Sequence, residues 1–210
     1  RQQMEDAHEG SSSRGTRGHG DLVVSEGEVD MEQTRNELFE VWSGVAQDDA
    51  KVGETQAGLC WGQSSETDEM LSARFGPAAS AAAFGTLDHW TGSPEGRLGL
   101  ILLLDQMPRV IHRGTPGAFA QDEKAKGVAL QGLASAADRL LRPIERVFFY
   151  LPFEHSEDPE DQKRRVELYE ALAAEVPEGW KKTFDTYLDY AVRHREIVDR
   201  FGRFPHRNAI

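Results

Sequence analysis

Between Arg97 and Gln106 the chain is apolar almost all round, a run from Leu98 to Leu104 broken only by Gly99. A helix that is apolar on every side has no face to offer water, so this segment is expected to be a central, buried helix. The run is far too short to cross a bilayer, which takes roughly 20 residues, so no membrane insertion is expected. Pro108 lacks the N–H that a helix interior requires and is expected to mark the helix end.

The remaining segments read as ordinary amphipathic helices. Leu38, Val41, Trp42 and Val45 recur at three- and four-residue steps and predict a first helix, with Thr34 or Asn36 as its cap. Residues 46–65 are expected to be an irregular connection. Met70, Leu71, Phe75 and the stretch from Ala78 to Phe84 predict one or two helices, with Gly76-Pro77 as a break or the start of a new one. After a turn at Arg113-Gly114-Thr115-Pro116-Gly117, the pattern predicts a helix from about Asp122 to Ala136, then a stripe of Ile144, Val147, Phe148 and Leu151 ended by Pro152. Ser156 to Glu160 has the polar cap, first-turn proline and acids of a helix start, and Val166, Tyr169, Leu172 and Val176 continue it. Tyr187, Tyr190, His194, Ile197 and Phe201 share one face of a last helix, which directs His194 inward. No segment alternates with period two, so the fold class is all-α. No self-similar repeat of about 34 residues is visible.

Charge divides the chain. Of the formal net charge of −12, half falls between Arg1 and Glu40, where ten acids face four bases. Residues 1–32 have too few apolar groups to offset an ordering cost of about 1–2 kcal/mol per residue, and are expected to form a disordered acidic tail before a single helical domain over 33–210. The overall acidity argues against a nucleic-acid partner, since polyphosphate binding is driven by clustered Lys and Arg. The single cysteine, Cys60, cannot close an internal disulfide, and the composition suits a soluble protein of a reducing compartment.

Polar residues beside apolar ones nominate a site. Asp105 and Gln106 end the most apolar helix, where a carboxylate is disfavoured unless a cation such as Arg109 or Arg113 stands near. His155 and Glu157, two residues apart at a helix entrance, could share a cleft in which the imidazole transfers protons and the acid orients it. In the last ten residues Arg203, His206, Arg207 and Asn208 stand among Phe201, Gly202, Phe204 and Pro205. Guanidinium offers paired donors in a fixed plane and suits carboxylate or phosphate. His155, Glu157 and His206 are the catalytic candidates; Asp105, Gln106, Arg109, Arg113, His194, Arg203, Arg207 and Asn208 are the ligand-binding ones. The histidines lack the compact spacing of a helical zinc pair, so no metal is expected, and no phosphate-binding loop, dinucleotide fingerprint or nucleophile elbow is present. No cofactor is expected.

The segments Leu104-Asp105-Gln106-Met107-Pro108-Arg109, Arg113-Gly114-Thr115-Pro116, Tyr150-Leu151-Pro152-Phe153-Glu154-His155-Ser156-Glu157, Gln162 and Phe201 through Asn208 together resemble the family called domain of unknown function 924. The resemblance runs from about Leu38 to Ile210. It implies a bacterial-type helical domain, a compact antiparallel helical bundle of tetratricopeptide-like class, in a family whose members typically continue past the last motif with a further short helical segment, and it implies no established reaction or cofactor. Three functions compete: a site for a small anionic ligand, with catalysis through His155 or His206; an adaptor that binds a protein partner through its helical surface or acidic tail; and a structural subunit whose polar motifs are internal ion pairs. All seven of Asp105, Arg109, His155, Glu157, His194, Arg203 and His206 are expected to meet in one region, because buried charges require partners.

Overall fold

A computed structural model describes residues 30–44, 48–55 and 64–209, and these are helical with no strand among them. The tail expected over 1–32 and Cys60 lie outside the described residues, except that Met31 and Glu32 already belong to a helix. This first helix, α1 (Met31–Ser43), is capped by Asp30, whose carboxylate accepts from the N–H groups of Glu32 and Gln33, rather than by Thr34 or Asn36. Aspartate outcompetes them because it stands one residue before the first turn, where orphan N–H groups and the positive helix end both favour an anion. The segment expected to be irregular holds α2 (Asp49–Thr55), fixed by Asp49, which pairs with Arg142 and accepts from the Ile144 N–H at 3.1 Å.

Helix α3 (Ser65–Phe84) runs straight through Pro77, correcting the expected break. Pro77 is exposed, while Leu71, Phe75, Ala78, Ala79 and Ala82 form a buried stripe on either side of it. Packing of that stripe outweighs the one backbone bond that proline removes.

The central helix is as the sequence predicts, but longer. It begins as α4 (Pro94–Ile101), capped by Ser93, widens into a π-turn at Leu102–Gln106, and resumes as α5 (Met107–Ile111). In the π-turn the Met107 N–H donates to the Leu102 carbonyl, five residues back. Pro108 therefore does not end the helix. A proline ring clashes with the carbonyl four residues earlier, and opening the turn by one residue relieves that crowding. Leu98 and Leu100 through Leu104 are all fully buried; burying each such side chain stabilises by about 1.5–3 kcal/mol.

Around it pack α1, α3, α6 (Asp122–Ala134) and α7 (Pro143–Phe149). Gly132 permits the closest approach, since a side-chain carbon there would come within 2.5 Å of both Arg97 Cδ and Phe149 Cζ. After α7 the chain kinks at Tyr150 into the single turn α8 (Leu151–Glu154), so Pro152 sits in the second position of a new turn and does not end the old one. Helices α9 (Pro159–Glu175) and α10 (Lys181–Phe201) form an antiparallel hairpin against α8. Asp158 caps α9, as the first-turn proline and acids predict. The seam of α10 is Phe184, Ala191 and Val198, not the expected aromatic face: Tyr190 and Phe201 are half exposed, and His194 is half-buried at the seam's edge. A small residue, Ala191, is fully buried in this seam, which aromatic spacing alone does not reveal. No helix among the described residues is long and apolar enough to cross a membrane.

Candidate functional site

The π-turn turns Asp105 into the core, where its side chain is fully buried. Its Oδ2 accepts from Gln106 Nε2 at 2.5 Å, its Oδ1 lies 2.7 Å from His155 Nδ1, and Arg109 Nη1 stands 3.5 Å from Oδ1. Burial pushes the Asp105 carboxyl up, but the Arg109 charge, the His155 ring and the hydrogen bonds from His155 and Gln106 outweigh it and hold the acid well below the usual carboxylate range. Asp105 is thus ionised and only accepts, so the His155 Nδ1 carries the proton that it donates. The other ring nitrogen, Nε2, has no protein hydrogen-bond partner among the described residues and is not sealed off from the adjoining space.

His155 follows directly after α8, and its backbone is fixed from both sides. Its N–H donates to the Leu151 carbonyl at 3.1 Å, and its carbonyl accepts from Arg207 Nη2 at 3.0 Å. Gln162, buried on α9, gives its amide nitrogen to the carbonyls of Phe153, Glu154 and Ser156 at 3.1, 2.8 and 2.6 Å. Three acceptors around one amide settle which of its ends is nitrogen.

Arg109 is occupied by two acids. It forms a bidentate pair with Asp122 of α6, at 2.8 and 2.9 Å, and donates to the Asp105 carbonyl at 2.6 Å. Arg207 is less well matched. Its guanidinium lies over the rings of Phe119 and Phe204, at 4.5 and 5.0 Å, while the nearest carboxylate oxygens, of Asp122 and Glu157, are 3.8 and 3.9 Å away and its Nε is buried without a partner. Burial lowers its affinity for the proton; Asp122 opposes this and the neighbouring Arg109 adds to it.

Two cavities adjoin here and share Phe119, His155 and Arg207. One, of about 250 Å³, is bordered by the acids Asp122, Glu123 and Glu157 as well as Lys126. The other, of about 230 Å³, is lined by Arg109, Phe119, His155, His194, Phe204, His206 and Arg207, without any carboxylate. His194 Nδ1 lies 2.8 Å from the Tyr190 carbonyl and its Nε2 3.1 Å from Glu154, which also pairs with the buried Arg165. Burial and then the Arg207 charge push the His206 imidazole below its ordinary value.

The structure thus brings Asp105, Gln106, Arg109, His155, Glu157, His194, His206 and Arg207 to one region, and leaves two expected members out. Arg113 turns to α3, where it pairs bidentately with Asp68 at 2.7 and 2.8 Å. Arg203 is exposed and engages none of these groups, because Gly202 ends α10 in the left-handed conformation and sends the chain back with Phe204, not Arg203, facing inward. The side chain of Asn208 lies outside the described residues. Glu157 does not orient His155; Asp105 does, and Glu157 accepts from the Phe204 N–H at 2.9 Å. Sequence reasoning missed Asp122, read only as a helix start, and Phe119, whose one signal was an isolated aromatic in a glycine- and proline-rich turn. It also gave Gln162 no role.

The fold and site define an all-α protein built round a buried carboxylate–imidazole pair beside a cationic cavity. The chain belongs to the family of bacterial proteins of unknown function called DUF924, whose model matches residues 38–210. A solved structure of a protein of unknown function from Agrobacterium tumefaciens is similar over 86% of this chain and 91% of its own, with 35% identity and a TM-score of 0.70. A search of curated proteins gives no match.

Proposed function

We propose that the protein binds a small molecule bearing a carboxylate or phosphate, with the anion seated in the carboxylate-free cavity between Arg109, Arg207 and the three imidazoles. The observation that carries this reading is Arg207. It is half-buried, its Nε is cut off from solvent without a partner, and its nearest acids stand beyond hydrogen-bond reach. A guanidinium so placed gains more from an incoming anion than a surface arginine does, because the charge-assisted bonds form where water no longer competes. Arg109 contributes field rather than free donors, since Asp122 and the Asp105 carbonyl occupy them. The tetratricopeptide-like class implied by resemblance leaves a protein partner as the alternative, and no contact in the site favours it over a small ligand.

Thermal unfolding in the presence of phosphate, succinate and related anions tests the reading. A ligand at a hundredfold excess over its dissociation constant stabilises by about 2.7 kcal/mol. Arg207→Ala is expected to abolish that response, and Arg203→Ala to keep it. Equal responses from wild type and Arg207→Ala would refute the proposal.

A further inference from the structure

A site that only held an anion would have no use for the arrangement of His155. A structural carboxylate–histidine pair is normally closed, with both ring nitrogens satisfied. Here one nitrogen is committed to Asp105 and the other is left open beside the two cavities that the ring lines. The ring is also held still, by Asp105 on its side chain and by Leu151 and Arg207 on its backbone, with Gln162 bonding the carbonyls on either side. An oriented imidazole with one ring nitrogen open to a cavity is suited to act as a general base.

The cavities specify what it acts on. A molecule with its anionic end in the cavity of Arg109, His194 and His206 and its other end among Asp122, Glu123 and Glu157 would pass between the residues that both cavities share, His155 and Arg207 among them. Three carboxylates against Lys126 and Arg207 leave that border net acidic, which counts against a phosphoryl group or an anionic leaving fragment and in favour of an uncharged or cationic alcohol. Building on the anion-binding reading, we propose that the protein hydrolyses carboxylic esters whose acyl part carries a second carboxylate, with His155 as general base and Asp105 as its positioning residue.

The water oxygen bonds to the ester carbon as His155 Nε2 takes the water's proton, and the negative charge gathers on the former carbonyl oxygen. When the carbonyl re-forms, the bond to the alcohol oxygen breaks and that oxygen takes the proton from Nε2. An acid and an alcohol leave, and the imidazole is restored. The charged and titratable groups facing His155 are Asp105 and Arg109 from the central helix, Asp122, Glu123 and Lys126 from α6, Glu157 ahead of α9, His194 from α10, and His206 and Arg207 from the last turn.

The test compares two alkyl esters of similar acyl length, monomethyl succinate and methyl butyrate, followed by acid release at constant pH, against free imidazole at equal concentration. Wild type is expected to favour the succinate at least about tenfold in kcat/KM, and Arg207→Ala to erase the preference. His155→Gln, which still offers Asp105 a donor, should fall to the imidazole background, and the exposed His89→Ala should not. Asp105→Asn should lower kcat by about a hundredfold or more with little change in KM, as loss of the orienting acid does in catalytic triads, and shift the pH profile. Hydrolysis no faster than imidazole, or insensitive to His155→Gln, overturns the catalytic proposal. If succinate still raises the unfolding temperature of wild type in that case, the anion-binding reading survives; if it does not, both fall.

Discussion

Asp105 is the most constrained residue of the site, and its acid strength ties stability to pH. Its carboxyl titrates below the ordinary value in the folded protein, so the stability it contributes is complete above the unfolded carboxylate pKa of about 3.9 and is lost as pH falls from there toward the folded value. Asp105→Asn removes that contribution. Chemical denaturation should show a constant deficit for the variant at neutral pH and a deficit that narrows as pH drops below about 4; a gap independent of pH would mean that the folded acid is not depressed. Gln162 is the second such residue. Gln162→Leu would strand three buried carbonyls and should cost about 1–3 kcal/mol in urea unfolding for each acceptor left unsatisfied by water.

At the scale of elements, two close approaches position the site. The π-turn places Asp105 and Gln106 inward within one helix, and the contact of α6 with α4 and α7 at Gly132 sets where Asp122 meets Arg109. Gly132→Ala forces a methyl group to within 2.5 Å of Phe149 and Arg97, and overpacking of this kind typically costs about 1–3 kcal/mol. The variant's urea midpoint should drop accordingly. If it is instead as stable as wild type, Arg97, whose long side chain can move, has yielded and the approach is looser than described.

For the whole molecule, the last turn acts as a cover. Phe204 is 2% exposed, and Arg207 bridges back to the His155 carbonyl, so residues after Gly202 close the site against α8 and Phe119. Ending the chain at Gly202 should remove the burial of one phenylalanine, about 1.5–3 kcal/mol, and all anion-dependent stabilisation, while circular dichroism keeps its helical spectrum. A large loss of helix would show instead that this turn holds the α9–α10 hairpin in place.

The sequence by itself determined the all-α class, the central position of the Leu98–Leu104 helix and the limits of α6 and α9, because hydrophobic periodicity and capping are local properties. It also singled out Asp105, Arg109, His155 and Arg207, since charged groups beside apolar runs must find partners. Which partners they find was decided only by tertiary structure. Arg109 and Arg113 look alike in sequence, yet one meets Asp122 and the other Asp68. Glu157 stands two residues from His155, but the acid on its ring is Asp105, fifty residues away in sequence. Pro77 and Pro108 read as breaks and lie within continuous helix, because the packing of their neighbours outweighs a local penalty. Pairings of this kind depend on how helices cross, and the crossing is set by side-chain volumes such as those of Gly132 and Ala191 summed over the whole core, which no short window of sequence contains.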